Sequence, residues 1–172
     1  MHVQGESLKT GANLGIRGFM NSPSARIGGV PELSKRADGQ ATGMLGVYLV
    51  AAELSRRGFI VSPTSRSARG ADLLVTDQSC NKAWSVQVKT NRAAPKFWLL
   101  GAHAAHIKSK SHVYVFVNLR GSADRPDYYV VGSSKVAGVM LTKKRKASTW
   151  YSFRHERVSE CKENWKLFGA AA

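Results

Sequence analysis

Two short segments constrain this chain more than any other part of it. Residues 70–75 read Gly-Ala-Asp-Leu-Leu-Val, and residues 84–90 read Trp-Ser-Val-Gln-Val-Lys-Thr. Both read as short strands. Between them, residues 77–82 read Asp-Gln-Ser-Cys-Asn-Lys, a hairpin-length turn of suitable residue types. Alternate side chains of a strand share a face. Ser85, Gln87 and Lys89 therefore point one way, and Trp84, Val86 and Val88 the other. The apolar face suits a core. If the two strands pair as a hairpin, the polar face meets Asp72 at one end.

The chain of 172 residues is long enough for one domain with a real core, and 43% of it is hydrophobic, which argues for a globular rather than a disordered chain. Residues 43–57 form the strongest helix candidate. Apolar side chains cover most of its circumference, so it should be largely buried. Gly58 follows Arg56 and Arg57 as a natural stop. Glu53 is the one acid in that stretch, and an acid on a buried helix needs a partner or a metal. Strands are expected at residues 59–61, 112–119 and 128–131, and a short helix capped by Ser133 or Ser134 up to Met140. Residues 101–107 have a helical pattern, and residues 157–168 space Val158, Cys161, Trp165 and Phe168 as one helix would. Residues 97–100 are apolar without a clear period.

Residues 1–40 are rich in Gly, Ser, Asn and Arg and show no steady period. They are expected to form a flexible basic arm, with residues 41–172 as the single folded domain. The alternatives for the arm are tracking a nucleic-acid backbone or exchange with a second subunit.

Twenty-six Lys and Arg against eleven Asp and Glu give a net charge of +15. Such an excess favours a polyanionic partner, and nucleic acid is the usual one. No apolar run of spanning length and no signal pattern is visible, so no membrane role is expected and a cytoplasmic location is. Two cysteines, Cys80 and Cys161, are too few for a disulfide framework or a four-thiolate zinc site, and both are expected to be free thiols.

Phosphodiester hydrolysis needs a metal, an oriented water and a cation beside the transferring phosphate. One aspartate, one further side-chain oxygen and a strand carbonyl can hold a hard divalent cation. A lysine two residues beyond the second ligand lies on the same face. Here the chain resembles the PD-(D/E)XK nuclease superfamily, which includes restriction endonucleases, archaeal Holliday-junction resolvases and Mrr-type enzymes. The resemblance covers residues 43–131 and implies an α/β fold with a restriction-endonuclease-like core: a central mixed β-sheet flanked by helices. The expected order is a helix, three strands ending in a hairpin, a helix and a further strand. It implies Asp72 as the metal-binding aspartate, Gln87 at the D/E position, the Val88 carbonyl as a further ligand, Lys89 as the motif lysine and Glu53 as the helix acid. Ala71 stands where a proline precedes the family's aspartate. The implied activity is Mg²⁺- or Mn²⁺-dependent endonucleolytic hydrolysis of DNA.

Arg66, Arg69 and Arg92 lie near these motifs in sequence and are expected to contact phosphates, with Lys143, Lys144, Arg145 and Lys146 as a solvated run adding non-specific affinity. Trp98, Trp150 and Tyr151 are candidates for base stacking, although each is more often a core residue. His103 and His106 could share a helical face, but no third metal ligand accompanies them. A homodimer would place two sites on a duplex. The rival reading, kept open by the neutral Gln87, is a non-catalytic nucleic-acid-binding protein on the same fold. A basic RNA-binding protein is a third.

Overall fold

The computed structural model describes residues 35–65, 69–93, 96–120 and 125–169. Of the expected N-terminal arm, residues 1–34 lie outside them. Residues 35–40 do not belong to an arm, because helix α1 spans Lys35–Arg56 and so begins eight residues before the expected start. Its C-terminus is where the sequence places it: Gly58 adopts φ +88°, a conformation that costs a residue with a Cβ, and the chain turns there.

Strands β1 (Ile60–Pro63), β2 (Leu73–Thr76) and β3 (Ala83–Asn91) follow as an antiparallel meander. The turn between β2 and β3 is held by Asp77, whose Oδ1 accepts from the backbone N–H groups of Asn81 (2.8 Å) and Lys82 (3.2 Å). After β4 (Phe97–Leu100) and a short 3₁₀ turn at Ala102–Ala105, strand β5 (His112–Asn118) returns parallel to β3. Strand β6 (Asp127–Gly132) closes the main sheet, whose order is β1-β2-β3-β5-β6. A mixed sheet with one parallel pair at its centre is the fold class the sequence implies. The expected helix at residues 101–107 is reduced to the 3₁₀ turn, and β4 takes part in the crossover instead.

Helix α2 (Ser133–Val139) leads to β7 (Leu141–Lys144) and β8 (Thr149–Arg154). The expected serine cap is absent: Ser133 is fully buried and its hydroxyl bonds to the backbone N–H and C=O of Ser109. A second, antiparallel sheet runs β4-β8-β7. The run at residues 143–146 is solvated as expected, and it forms the end of a strand and a hairpin turn.

The two faces of the main sheet build two cores. Along β5, Val113, Val115 and Val117 join β3's Val86 and Val88 and helix α1's Val50 and Leu54 on one side. Tyr114 and Phe116 join Trp98, Phe153 and Val136 on the other. The layers are thus α1, the five-stranded sheet, and the small sheet with α2. Each fully buried aliphatic side chain contributes roughly 1.5–3 kcal/mol, so these layers fix the strand alternation strongly.

The expected helix at residues 157–168 is not formed. Two 3₁₀ turns, Ser159–Cys161 and Trp165–Phe168, are separated by Lys162, which bridges to Tyr129, and by Glu163 at φ +53°. Val158 and Cys161 fill the second core, whereas Trp165 and Phe168 fill the first. One straight helix cannot serve both sides of a sheet, so the helical spacing is satisfied by a bent path.

Candidate active site

The register of β2 and β3 pairs Leu73 with Val86, so the next step places Asp72 opposite Gln87 on one face. The Asp72 backbone is pinned from both sides. Its N–H donates to the Val86 carbonyl (2.7 Å), and its carbonyl accepts from the Thr64 N–H (3.0 Å). Thr64 Oγ1 also donates to the Ala71 carbonyl at 2.7 Å, which fixes the residue before the aspartate. With its backbone held, the Asp72 side chain reaches β3: Oδ2 accepts from the Val88 N–H at 2.7 Å and from the Gln87 side-chain amide. The N–H and C=O of a strand residue face the same neighbour, so the Val88 carbonyl lies on the Asp72 side as well.

Gln87 is only 7% exposed. It stands beside Tyr114 in the β3–β5 register, and the Tyr114 hydroxyl is buried without a hydrogen-bond partner among the described residues. Burial pushes the Tyr114 phenol up to about 12. One register step back, Ser85 Oγ and His112 Nδ1 share a hydrogen bond of 2.7 Å, and burial first, then the nearby His103, lowers the pKa of His112. One step forward, Lys89 lies about 7 Å from Gln87 along the same face. It opens on a cleft of about 310 Å³ with Asn91, Phe97 and Leu99. Its ammonium makes no ion pair among the described residues, so its charge faces the cleft uncompensated.

Asp72, Gln87, Val88 and Lys89 are thus gathered on one face, and Glu53 is not. Helix α1 packs on the opposite face and runs antiparallel to β3: Gly46 lies against Thr90, while Gln78 in the hairpin turn donates to the Gly58 carbonyl at 2.7 Å. Glu53 lies seven residues beyond Gly46, about 10 Å along the helix axis and toward the hairpin end. Its carboxylate is taken up by Arg56 (2.7 Å), Arg57 (2.8 Å) and Arg125 (3.6 Å), with Glu163 bridging Arg57 and Arg125. The hydrogen bond from Arg56 is the largest cause of its lowered pKa; the charges of Arg56, Arg57 and Arg125 add to it against partial burial. The acid that needed a partner has three arginines around it.

Among the expected phosphate contacts, Arg66 lies outside the described residues. Arg69 is exposed beside Gly70, and Arg92 is paired with Asp38 at 2.5 Å. Lys143 and Lys144 are exposed on β7, with Arg145 and Lys146 in the following turn. His103 and His106 sit on and beside the 3₁₀ turn, and no group of three His, Cys, Asp or Glu able to hold a metal occurs among the described residues. Trp98 is buried and excluded as a stacking surface, whereas Trp150 is not. Thr64, which anchors the backbone around Asp72, gave no sequence signal, because its role exists only once β1 and β2 pair. Tyr114 was readable as a strand residue, but only register places it beside Gln87.

The donor set consists of one carboxylate, one amide oxygen available by turning the Gln87 side chain, and a strand carbonyl. All are oxygen ligands of the kind Mg²⁺ and Mn²⁺ take, so the residues fit a hard divalent cation with one formal charge among them.

No protein-family model matches the chain, and no curated protein matches it in sequence. Among solved structures it is similar to Hjc of Archaeoglobus fulgidus, a Holliday junction resolvase from an archaeal hyperthermophile. The two share 9% identity with a TM-score of 0.43, over 67% of this chain and 86% of that one. No helix among the described residues is long and apolar enough to cross a membrane.

Proposed function

We propose that this chain is a divalent-metal-dependent nuclease that hydrolyses DNA phosphodiesters at the Asp72–Gln87–Lys89 face. The observation that carries the reading is the convergence of the Asp72 carboxylate on Gln87 and Val88, with Lys89, which makes no ion pair among the described residues, next along the same strand face. Asp72, Gln87 and the Val88 carbonyl would hold Mg²⁺ or Mn²⁺, which when bound supplies Lewis-acid stabilisation of charge on the phosphate oxygens. The Asp72 backbone is fixed by Thr64 and Val86, which holds its carboxylate beside β3. Gln87 turns its amide so that the oxygen faces the aspartate. Lys89 orients the attacking water and neutralises charge developing on the transferring phosphate. Water attacks phosphorus, the P–O3′ bond breaks, and the products are a 5′-phosphate and a 3′-hydroxyl. With helix α1 kept whole, residues 35–172 are read as the catalytic domain. Arg69, Arg92 and the basic hairpin turn contact the DNA backbone, and a cytoplasmic homodimer would cut both strands. Glu53 is left out of the site, since its carboxylate is committed to arginines.

Cleavage of plasmid and linear DNA with Mg²⁺ or Mn²⁺ tests this, comparing wild type with Asp72→Ala and Lys89→Ala. Metal-dependent cutting reduced about 10²-fold or more by either substitution is expected. Cutting that survives both substitutions would move the chemistry elsewhere in the chain.

One observation favours a second reading, a nucleic-acid-binding protein without catalysis. The Gln87 amide donates to Asp72, which closes the pair on itself. Calorimetric titration with Mn²⁺ separates the two: heat of binding that Asp72→Ala abolishes supports the nuclease, and no heat in wild type supports the binding protein.

A further inference from the structure

The small sheet presents a second surface that the metal centre does not use. On β8, Phe153 points into the second core while Trp150, Ser152 and Arg154 point outward. Register puts Phe97 opposite Arg154, Leu99 opposite Ser152 and Lys143 opposite Trp150. These residues therefore share the outward face. The chain has four tryptophans. Trp84, Trp98 and Trp165 are each 9% exposed or less, and Trp150 is 43% exposed. Phe97 is also exposed and makes no ring contact among the described residues.

Cations accompany these rings. A groove of about 410 Å³ along the face is lined by four cations, Lys96, Lys143, Arg145 and Arg154, against the single carboxylate of Glu156. The Arg145 guanidinium lies 5.0 Å from the centre of the Trp150 ring, a planar cation already stacked on an aromatic. Phe97 lines both this groove and the cleft that holds Lys89, so the two surfaces are continuous.

We propose that the outward face of the β4-β8-β7 sheet binds single-stranded nucleic acid, with unpaired bases stacking on Trp150 and Phe97 and phosphates paired with Lys143, Arg145 and Arg154. Exposed rings interleaved with cations suit bases whose π-faces are free, and duplex bases bury theirs. The net charge of the groove excludes a cationic partner. The face would hold an unpaired strand leading toward Lys89, but binding there needs no metal.

The test uses the full chain in EDTA, where no cleavage occurs. Binding of a fluorescent oligothymidylate and of a duplex of equal length is measured by anisotropy, with intrinsic tryptophan emission as a second readout. Oligothymidylate should quench the wild-type emission. Trp150→Leu and Phe97→Leu should each weaken its binding about tenfold, while Trp150→Phe stays close to wild type and duplex affinity is unchanged. Lys143→Gln should lower the slope of log K against log salt by about 0.7. Equal loss for single strand and duplex in Trp150→Leu, or no loss for either, would overturn the proposal. So would sedimentation showing that Trp150→Leu abolishes self-association and leaves oligothymidylate binding intact, which would make the face a contact between copies. A chain that binds oligothymidylate as expected yet never cuts DNA with Mn²⁺ would refute the nuclease reading alone.

Discussion

Replacing Gln87 with glutamate turns a hydrogen-bonded pair into two apposed carboxylates. In the wild type the Gln87 amide donates to Asp72 Oδ2, and Gln87 is 7% exposed. In Gln87→Glu that donor is lost, and two unit charges stand at hydrogen-bond range, about 3 Å. Coulomb's law at an effective dielectric of about 20 gives roughly 5 kcal/mol of repulsion. Asp72 is only partly buried, so solvent screening brings this to about 2–3 kcal/mol. The introduced carboxyl is then held protonated above its ordinary range, a raised folded-state value. The variant should therefore match wild type most closely below about pH 4.3, and lose stability as pH rises through the titration of the pair. At pH 8 in EDTA its melting temperature should lie roughly 5–10 °C below that of wild type. Mn²⁺ should reverse the loss, because a cation between the carboxylates replaces repulsion by coordination, so the metal-induced rise should exceed that of wild type. Thermal melts across pH, with EDTA or Mn²⁺, measure all of this. Equal melting temperatures for variant and wild type at pH 8 in EDTA would refute the apposition of residues 72 and 87. A loss that Mn²⁺ leaves unrelieved would refute the claim that the pair can hold a cation.

Three further substitutions probe the frame around the site. Glu53→Gln should cost about 1–3 kcal/mol at pH 7, because it leaves the arginines around it uncompensated, while Mn²⁺ titration and cleavage stay at wild-type level. Since the folded-state pKa of Glu53 is depressed below 4.5, its stabilisation is complete above that pH and lost as pH falls through the folded value, so acid melts of variant and wild type should converge. Gly46→Ala would put a Cβ 1.8 Å from Thr90 Oγ1, forcing α1 off β3 at about 1–3 kcal/mol; urea unfolding should show the loss, and adding Thr90→Ala should recover part of it. Tyr114→Phe removes a buried hydroxyl that has no hydrogen-bond partner among the described residues, so stability at pH 8 should stay level or rise by up to about 1 kcal/mol. Because burial holds the wild-type phenol near 12, its contribution is present below pH 10 and lost as pH climbs toward 12; the variant's alkaline melts should be flatter.

Much of this molecule is written locally. Alternation along residues 84–90 fixes which side chains of β3 face α1 and which face the site, since a strand has a period of two wherever it lies. The stop at Gly58 is equally local, and so is the turn around Asp77. These suffice to bring Asp72, Gln87 and Lys89 to one face. The apolar girth of α1, by contrast, overstates its burial: Leu45 and Tyr48 are exposed, and only the side carrying Val47, Val50 and Leu54 is covered. Cys80 and Cys161 are free thiols, as the sequence reading expects, the first exposed and the second buried.

Other features depend on which distant segments meet. Residues 97–100 carry no period because both of their faces are apolar, and they become β4 only by pairing with Thr149–Arg154, some fifty residues on. That pairing turns Phe97 and Trp150 outward. Residues 157–168 have the spacing of a helix, but the sheet offers them two cores, and the chain bends to fill both. Glu53 shows the same limit: its burial on α1 was legible, but its partners were not, because the antiparallel run of α1 along β3 carries it toward Arg125 and away from Asp72. Periodicity acts over a few residues and is set by backbone geometry. The identity of a neighbour is set by packing between elements remote in the chain, and only the assembled layers decide it.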